Sequence, residues 1–217
     1  MTNPDYSPQD PLIFPIGHYM GAFYPKVGAL LKYRKLRVGL DVKQLPGDER
    51  FGIWALSHGL PDELEKVAWT RSQLIRAATR IELPNPAALL DELIAQGVVA
   101  RVTPGTDDAV EFARRYRIQP LMMGLGNTPE DPMRFSLGFV GAPPVVKIND
   151  FLYLLWQFGR WDSIWETAAM FAKADSDAGR VPDPERVLGQ ILGQLHVLLS
   201  HNAAYLDEVL PPLQAAG

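Results

Sequence analysis

The chain has 217 residues, 47% hydrophobic and 21% charged, with 21 basic and 25 acidic side chains and a formal net charge of −4. That composition is ordinary for a globular protein and long enough for one large or two small domains. There are no cysteines, which excludes disulfides, thiolate metal sites and thiol nucleophiles; Pro and Gly interrupt every run apolar enough to span a bilayer, and the polar start is no signal peptide, so a cytoplasmic location without a membrane partner is predicted.

Met1 to Pro11 holds three prolines and no apolar periodicity, and reads as a loose arm. From Leu12 to Tyr24, apolar residues mixed with Gly and Pro predict irregular structure or short strands on the core, with His18 as a packed residue. Lys32-Tyr33-Arg34-Lys35-Leu36-Arg37 is the densest basic cluster. It leads into Leu36, Val38, Leu40 and Val42 at period two, which predicts a strand with Lys35, Arg37, Asp41 and Lys43 on its other face. That face reads as solvated, or else as a phosphate contact with Tyr33 as a stacking partner.

Leu45-Pro46-Gly47 turns the chain into a stretch from Asp48 to Ile118. Asp48 and Glu49 suit the first turn of a helix through Leu56, and Gly59 suits its end. The acidic segment Asp62 to Val67 reads as a helical turn or loop. Thr70 and Gln73 fit a capping box, followed by Leu74, Ala77 and Ala78 at helical spacing. Asn85-Pro86 opens the next helix, Leu89, Leu90, Leu93 and Ile94 form its stripe, and Gly97 ends it. Val98 to Val102 predicts a strand and Thr103-Pro104-Gly105-Thr106 a turn. Ala109 to Ile118, with Val110, Phe112, Arg114, Tyr116 and Ile118 at period two, predicts a returning strand.

The capped helix from Thr70, the helix from Asn85, Leu93 to Val99 and the basic segment Arg114-Arg115-Tyr116-Arg117 resemble the winged helix-turn-helix superfamily over residues 48–118. The resemblance implies DNA binding by the second helix of the motif. Asn85 to Gln96, however, has no Lys or Arg and carries Asp91 and Glu92, whereas base reading depends on Arg, Lys, Asn or Gln at groove edges. Lys32, Arg34, Lys35, Arg71, Arg76, Arg114, Arg115 and Arg117 are the candidate nucleic-acid contacts, all suited to positioning on phosphates. Net charge runs +2 over residues 1–50, −1 over 51–118 and −5 over 119–217, a poor match to a basic DNA-binding domain.

Gln119 to Asn149 is rich in Gly and Pro. Gly124-Leu125-Gly126-Asn127 lacks the third glycine and the following helix of a phosphate cradle and reads as a turn. Arg134 to Val140 and Val145 to Ile148 predict two strands that could join the N-terminal strand in a small sheet. Asn149-Asp150 caps an apolar helix, Phe151 to Phe158, ended by Gly159. Asp162-Ser163 caps a second helix through Lys173, a polar loop spans Asp175 to Pro182, and Asp183-Pro184 opens a long helix predicted to reach about Val209. No internal repeat is evident along the chain.

His196 and His201 are five apart, about 140° around a helix, where shared zinc ligands want three or four. Asp62-Glu63, Asp207-Glu208 and Ser57-His58 are adjacent pairs with no convergent geometry. Tyr153, Trp156, Trp161 and Trp165 are candidates for a ligand pocket or interface, or are plain core. The fold expected is α+β, mostly helical: an N-terminal arm and strand segment (1–47), a winged helix (48–118), and a β-hairpin with a C-terminal helical subdomain (119–217). The function expected is a non-enzymatic cytoplasmic regulatory protein without cofactor or metal, using the winged helix for a protein partner or a homodimer. The alternatives are a winged-helix transcription regulator and a small-molecule-binding protein or enzyme with a pocket in the helical subdomain.

Overall fold

A computed structural model of the protein describes residues 9–64, 68–159, 162–177 and 181–210. Strand β1 (Leu12–Pro15) is followed by an antiparallel meander of β2 (His18–Phe23), β3 (Tyr33–Val38) and β4 (Asp41–Leu45). Gly39 has φ +57°, and the pairing of Val38 with Asp41 closes a two-residue turn there. Such a turn needs a left-handed residue, so the strand expected to run through Leu40 folds back instead. Helices α1 (Asp48–Leu56), α2 (Pro61–Leu64), α3 (Arg71–Arg80) and α4 (Pro86–Ala95) follow, and then β5 (Val99–Val102) pairs antiparallel with β1.

The local chemistry accounts for most of these boundaries. Asp48 and Glu49 occupy the first turn of α1. Thr70 precedes α3, but the expected capping box does not form. Asp10 reaches in from the N-terminal segment and its carboxylate accepts from the Ser72 amide (2.8 Å) and from the Thr70 and Ser72 hydroxyls, doing the work of a cap side chain. Gly97, at φ +71°, ends α4 with its own amide on Ile94 and the Val98 amide on Leu93, a left-handed C-terminal cap.

The returning wing strand is not formed. Asp107–Arg115 is helix α5, with Asp107 and Asp108 in its first turn and Arg114 and Arg115 in its last. Ala109, Phe112 and Ala113 bury one stripe of it; the 3.6-residue period and dipole-matched charges overrode the alternation that suggested a strand. The partner of β5 comes instead from β1, at the start of the chain.

Beyond α5 the same order of elements recurs. Strand β6 (Tyr116–Pro120) leads into a second meander, β7 (Met123–Thr128), β8 (Asp131–Gly138) and β9 (Val146–Asn149). Helices α6 (Asp150–Phe158), α7 (Ile164–Asp177) and α8 (Pro184–Ser200) follow, and β10 (Ala204–Glu208) returns to pair antiparallel with β6. The described residues are 41% helical and 28% strand in four small sheets. This α+β architecture corrects the mostly helical expectation, and the C-terminal part is not a helical subdomain carrying one hairpin. Gly124 to Asn127 lies in a strand rather than a turn. The long helix stops at Ser200, because Asn202 adopts φ +52° and turns the chain into β10.

The two halves correspond residue by residue. The pairs Ile13–Arg101 and Pro15–Val99 in the first ladder match Ile118–Leu206 and Pro120–Ala204 in the second, all 105 positions on. Each meander has a register shift at the same place, Tyr19/Gly21 and Gly124/Gly126, and Gly21 and Gly126 both have positive φ. Asn202 repeats the cap of Gly97: its amide bonds Leu199, and the Ala203 amide bonds Leu198. Phe51 and Trp54 stack with centroids 5.8 Å apart, as do Tyr153 and Trp156, and the same strand position covers the outer ring in both: Arg34 over Phe51, Phe135 over Tyr153. The protein is therefore two like modules, residues 12–102 and 116–208, joined by α5. The second module has a shorter connection before α7 and a longer last helix.

The modules dock asymmetrically through one continuous core. The Gly17 amide donates to the Leu206 carbonyl (2.8 Å) on the outer edge of β10. Asp207, only 1% exposed, accepts from Arg37 (2.8 Å) and from the Gly39 amide (2.7 Å) at the first meander's turn. On α8, His196 stacks on Phe14 and its Nε2–H donates to the Ile13 carbonyl (2.8 Å). The reciprocal contacts, Met122 amide to Arg101 carbonyl and Asp91 to Ile118, are absent among the described residues. The interface is thus head to tail rather than two-fold.

Candidate functional site

The surface of the second module that receives the first consists of the outer edge of β10 and the adjoining face of α8. Its counterpart on the first module is the outer edge of β5 and the adjoining face of α4, and there the protein has an open cleft of about 690 Å³. Arg71, Asp91, Ala95, Arg101, Thr106 and Asp108 line it. Asp91 stands where His196 stands in the second module, and Arg101 where Leu206 stands. Leu206 is fully buried, whereas Arg101 is exposed.

The backbone geometry of this edge follows from the ladder. The Ile13 amide points away from β5, to the Trp69 carbonyl. Ile13–Arg101 is therefore a pair without mutual hydrogen bonds, and the amide and carbonyl of Arg101 face outward. Neither has a hydrogen-bond partner among the described residues. The cleft walls are ionic: Arg71 bonds both oxygens of Asp91 at 3.1 Å. Behind it Arg50 binds Glu92 in a two-point pair at 2.8 and 3.0 Å. Arg50's hydrogen bonds hold the Glu92 carboxyl below the usual range. Burial opposes ionisation of Asp10, but the Ser72 and Thr70 donors outweigh it and its carboxyl is also lowered.

The predicted nucleic-acid contacts fall on three separate stretches of the chain. Lys32, Arg34 and Lys35 belong to the first meander, Arg71 and Arg76 to α3, and Arg114, Arg115 and Arg117 to the end of α5 and β6. Most are engaged within the chain. Arg34 pairs with Asp48 and covers Phe51, Lys35 sits 4.8 Å from the Phe23 ring, Arg114 covers Trp165 and Arg115 pairs with Glu208. Arg117 lies opposite Asp207 in the ladder, with its Nε buried and unbonded. On α4, both carboxylates are already taken by Arg71 and Arg50.

The aromatic candidates do not converge on one cavity. Tyr153 and Trp156 pack with Phe135 against Gly124, where even a methyl group would meet the Tyr153 hydroxyl at 2.8 Å. Trp156 donates its indole N–H to the Ala203 carbonyl, as Trp54 does to Ile16. Trp165 lies apart, under Arg114, and Trp161 falls outside the described residues. The histidines serve packing. Burial lowers His196 and His58 to about 4, and both donate to backbone carbonyls. His18 packs against the Tyr205 ring at a tilt, and its pKa is lowered by burial and by Arg37. Among the described residues, no group of three or more His, Asp or Glu side chains could hold a metal ion.

Arg101, Asp108 and Asp207 were not predicted as functional. The sequence predicts Asp207 on a helix beside Glu208, whereas the helix ends before it, where Asn202 takes φ +52°; an Asn after a Leu-rich run is the one local signal of that end. Comparison with family models, curated proteins and solved structures returned no match. No helix of the described residues is long and apolar enough to cross a membrane.

Proposed function

We propose that this is a non-enzymatic cytoplasmic binding protein with a regulatory role, whose first module takes a protein partner in the cleft between α3, α4 and β5. One observation carries the reading: the equivalent surface of the second module is occupied by folded protein, through an edge-strand hydrogen bond and a side-chain latch. The run of four helices, α1 to α4, followed by β5 makes up the helical part of the first module. We read it as a scaffold for partner contact.

DNA recognition by α4 is disfavoured on physical grounds. Asp91 and Glu92 would have to leave their arginines, and those arginines would have to exchange carboxylates for phosphates. The cationic side chains that remain are scattered over three stretches of the chain, so few phosphates could be neutralised together.

A photo-crosslinking amino acid at Arg101 tests the reading in cells that make the protein, with the same residue at exposed Glu185 on α8 as control. The expected result is one discrete adduct from position 101 and none from 185. Absence of an adduct at 101, or the same adducts at both positions, overturns the proposal.

A further inference from the structure

The docking of the first module on the second leaves two surfaces without the contacts their counterparts make. On the first module it is the outer edge of β5. On the second it is the meander β7–β9, whose counterpart β2–β4 is held against β10. The consequence is visible in exposure. Val38 is 4% exposed beside Asp207, whereas Phe139 at the same place in the second meander is 53% exposed. Val140, at the position of Gly39, is 79% exposed, and Met123, at the position of His18, is 56% exposed. Three apolar side chains at this end of the second meander thus lie open, at positions whose counterparts in the first meander lie near the module contact.

The backbone repeats the complementarity. The Gly17 amide meets the Leu206 carbonyl; their counterparts are the Met122 amide and the outward Arg101 carbonyl. Neither of these has a hydrogen-bond partner among the described residues. A buried unpaired amide or carbonyl costs about 1–3 kcal/mol; the Arg101 carbonyl on the β5 edge is a template for pairing with another chain, and the Met122 amide stands immediately before β7. The other differences are mutually consistent. Arg37 and Asp207, the ionic latch within the chain, correspond to Gly138 and Val102. The charge of this latch is lost from both sides together, so the latch positions themselves would leave no buried ion unpaired.

We infer that the protein self-associates head to tail, the occupant of the first-module cleft being the second meander of another copy. The Met122 amide of one copy bonds the Arg101 carbonyl of the next, with Met123, Phe139 and Val140 packed over the β5 edge. The inference rests on the proposed cleft and names its partner. A heterologous contact of this kind propagates or closes into a ring, unlike a two-fold dimer interface. Without the ionic latch and without a covalent tether, it is weaker than the docking inside the chain.

Sedimentation velocity on the full chain over a wide concentration range tests this with two surface variants. Phe139→Asp places a charge on the meander tip, and Ala95→Arg fills the cleft beside β5; both positions are exposed. The wild type is expected to shift to larger species as concentration rises, and each variant alone to associate about tenfold or more weakly. Their equimolar mixture should form a heterodimer and stop there, because each variant retains the face the other has lost. A wild type that stays monomeric overturns the inference, as does a mixture that fails to complement although each variant weakens association. If the chain is monomeric while the crosslinker at Arg101 captures a different protein, self-association fails and the binding reading stands; if nothing is captured, both fail.

Discussion

The Arg37–Asp207 latch offers the sharpest energetic test of module docking. Asp207 is 1% exposed and Arg37 33%, with 2.8 Å between donor and acceptor. A hydrogen bond to a charged group contributes about 1.5–3 kcal/mol, and the partial exposure of Arg37 places this one toward the lower end. Asp207→Asn keeps an acceptor for the Gly39 amide but removes the charge, and should cost about 2 kcal/mol. Arg37→Met leaves a buried carboxylate with amide donors only, and should cost about 2–3 kcal/mol. In the double variant the losses should not add, giving a coupling of about 1.5 kcal/mol in urea unfolding at a constant slope. Arg115–Glu208, with side chains 63% and 35% exposed, serves as the control pair and should couple by less than about 0.5 kcal/mol. A coupling as small for Arg37–Asp207 as for the control would refute the argument that this pair holds the modules together.

The buried histidines predict a pH dependence. His196 and His58 titrate at about 4 in the fold against 6.5 for the free side chain, so the unfolded chain binds more protons between those values. Stability should be flat above pH 6.5 and fall as pH drops from 6.5 toward 4; His196→Asn should flatten part of that decline in urea midpoints measured against pH. The repeated helix caps predict effects of opposite weight: Gly97→Ala, at φ +71°, should cost about 1 kcal/mol. Asn202→Gly, at φ +52°, should stay within about 0.5 kcal/mol of wild type, read as shifts in thermal midpoint. In a salt series, random duplex DNA should show no binding at low ionic strength. Affinity that falls steeply with salt would instead count several phosphate contacts.

Local signals in the sequence carried the helices well. Asn149, Asp183 and Pro184 start their helices where capping chemistry says they should, and Gly97 ends one. The failures came where tertiary pairing decides. Ala109 to Ile118 alternates like a strand, yet its first residues bury a helical stripe between modules, and the true partner of β5 lies about 90 residues upstream. The duplication was hidden because the equivalent residues that stay alike are few and scattered: Ile13 and Ile118, Pro15 and Pro120, Gly21 and Gly126, Leu36 and Leu137, Trp54 and Trp156. These are core, turn and bulge positions. The surface around them diverged, and the differing loop lengths break any constant period. The cleft was illegible for the same reason, since its meaning lies in what fills the matching place on the other module. Asp91 and Glu92 were visible as a barrier to DNA contact, but their arginine partners emerged only from the fold.

Amide hydrogen exchange at two equivalent positions tests the head-to-tail arrangement most directly. In dilute solution the Gly17 amide, bonded to Leu206 across the module interface, should exchange slowly. The Met122 amide, its counterpart with no hydrogen-bond partner among the described residues, should exchange rapidly and slow only as concentration rises. Equal rates at the two positions in dilute solution, whether both fast or both slow, would contradict the account.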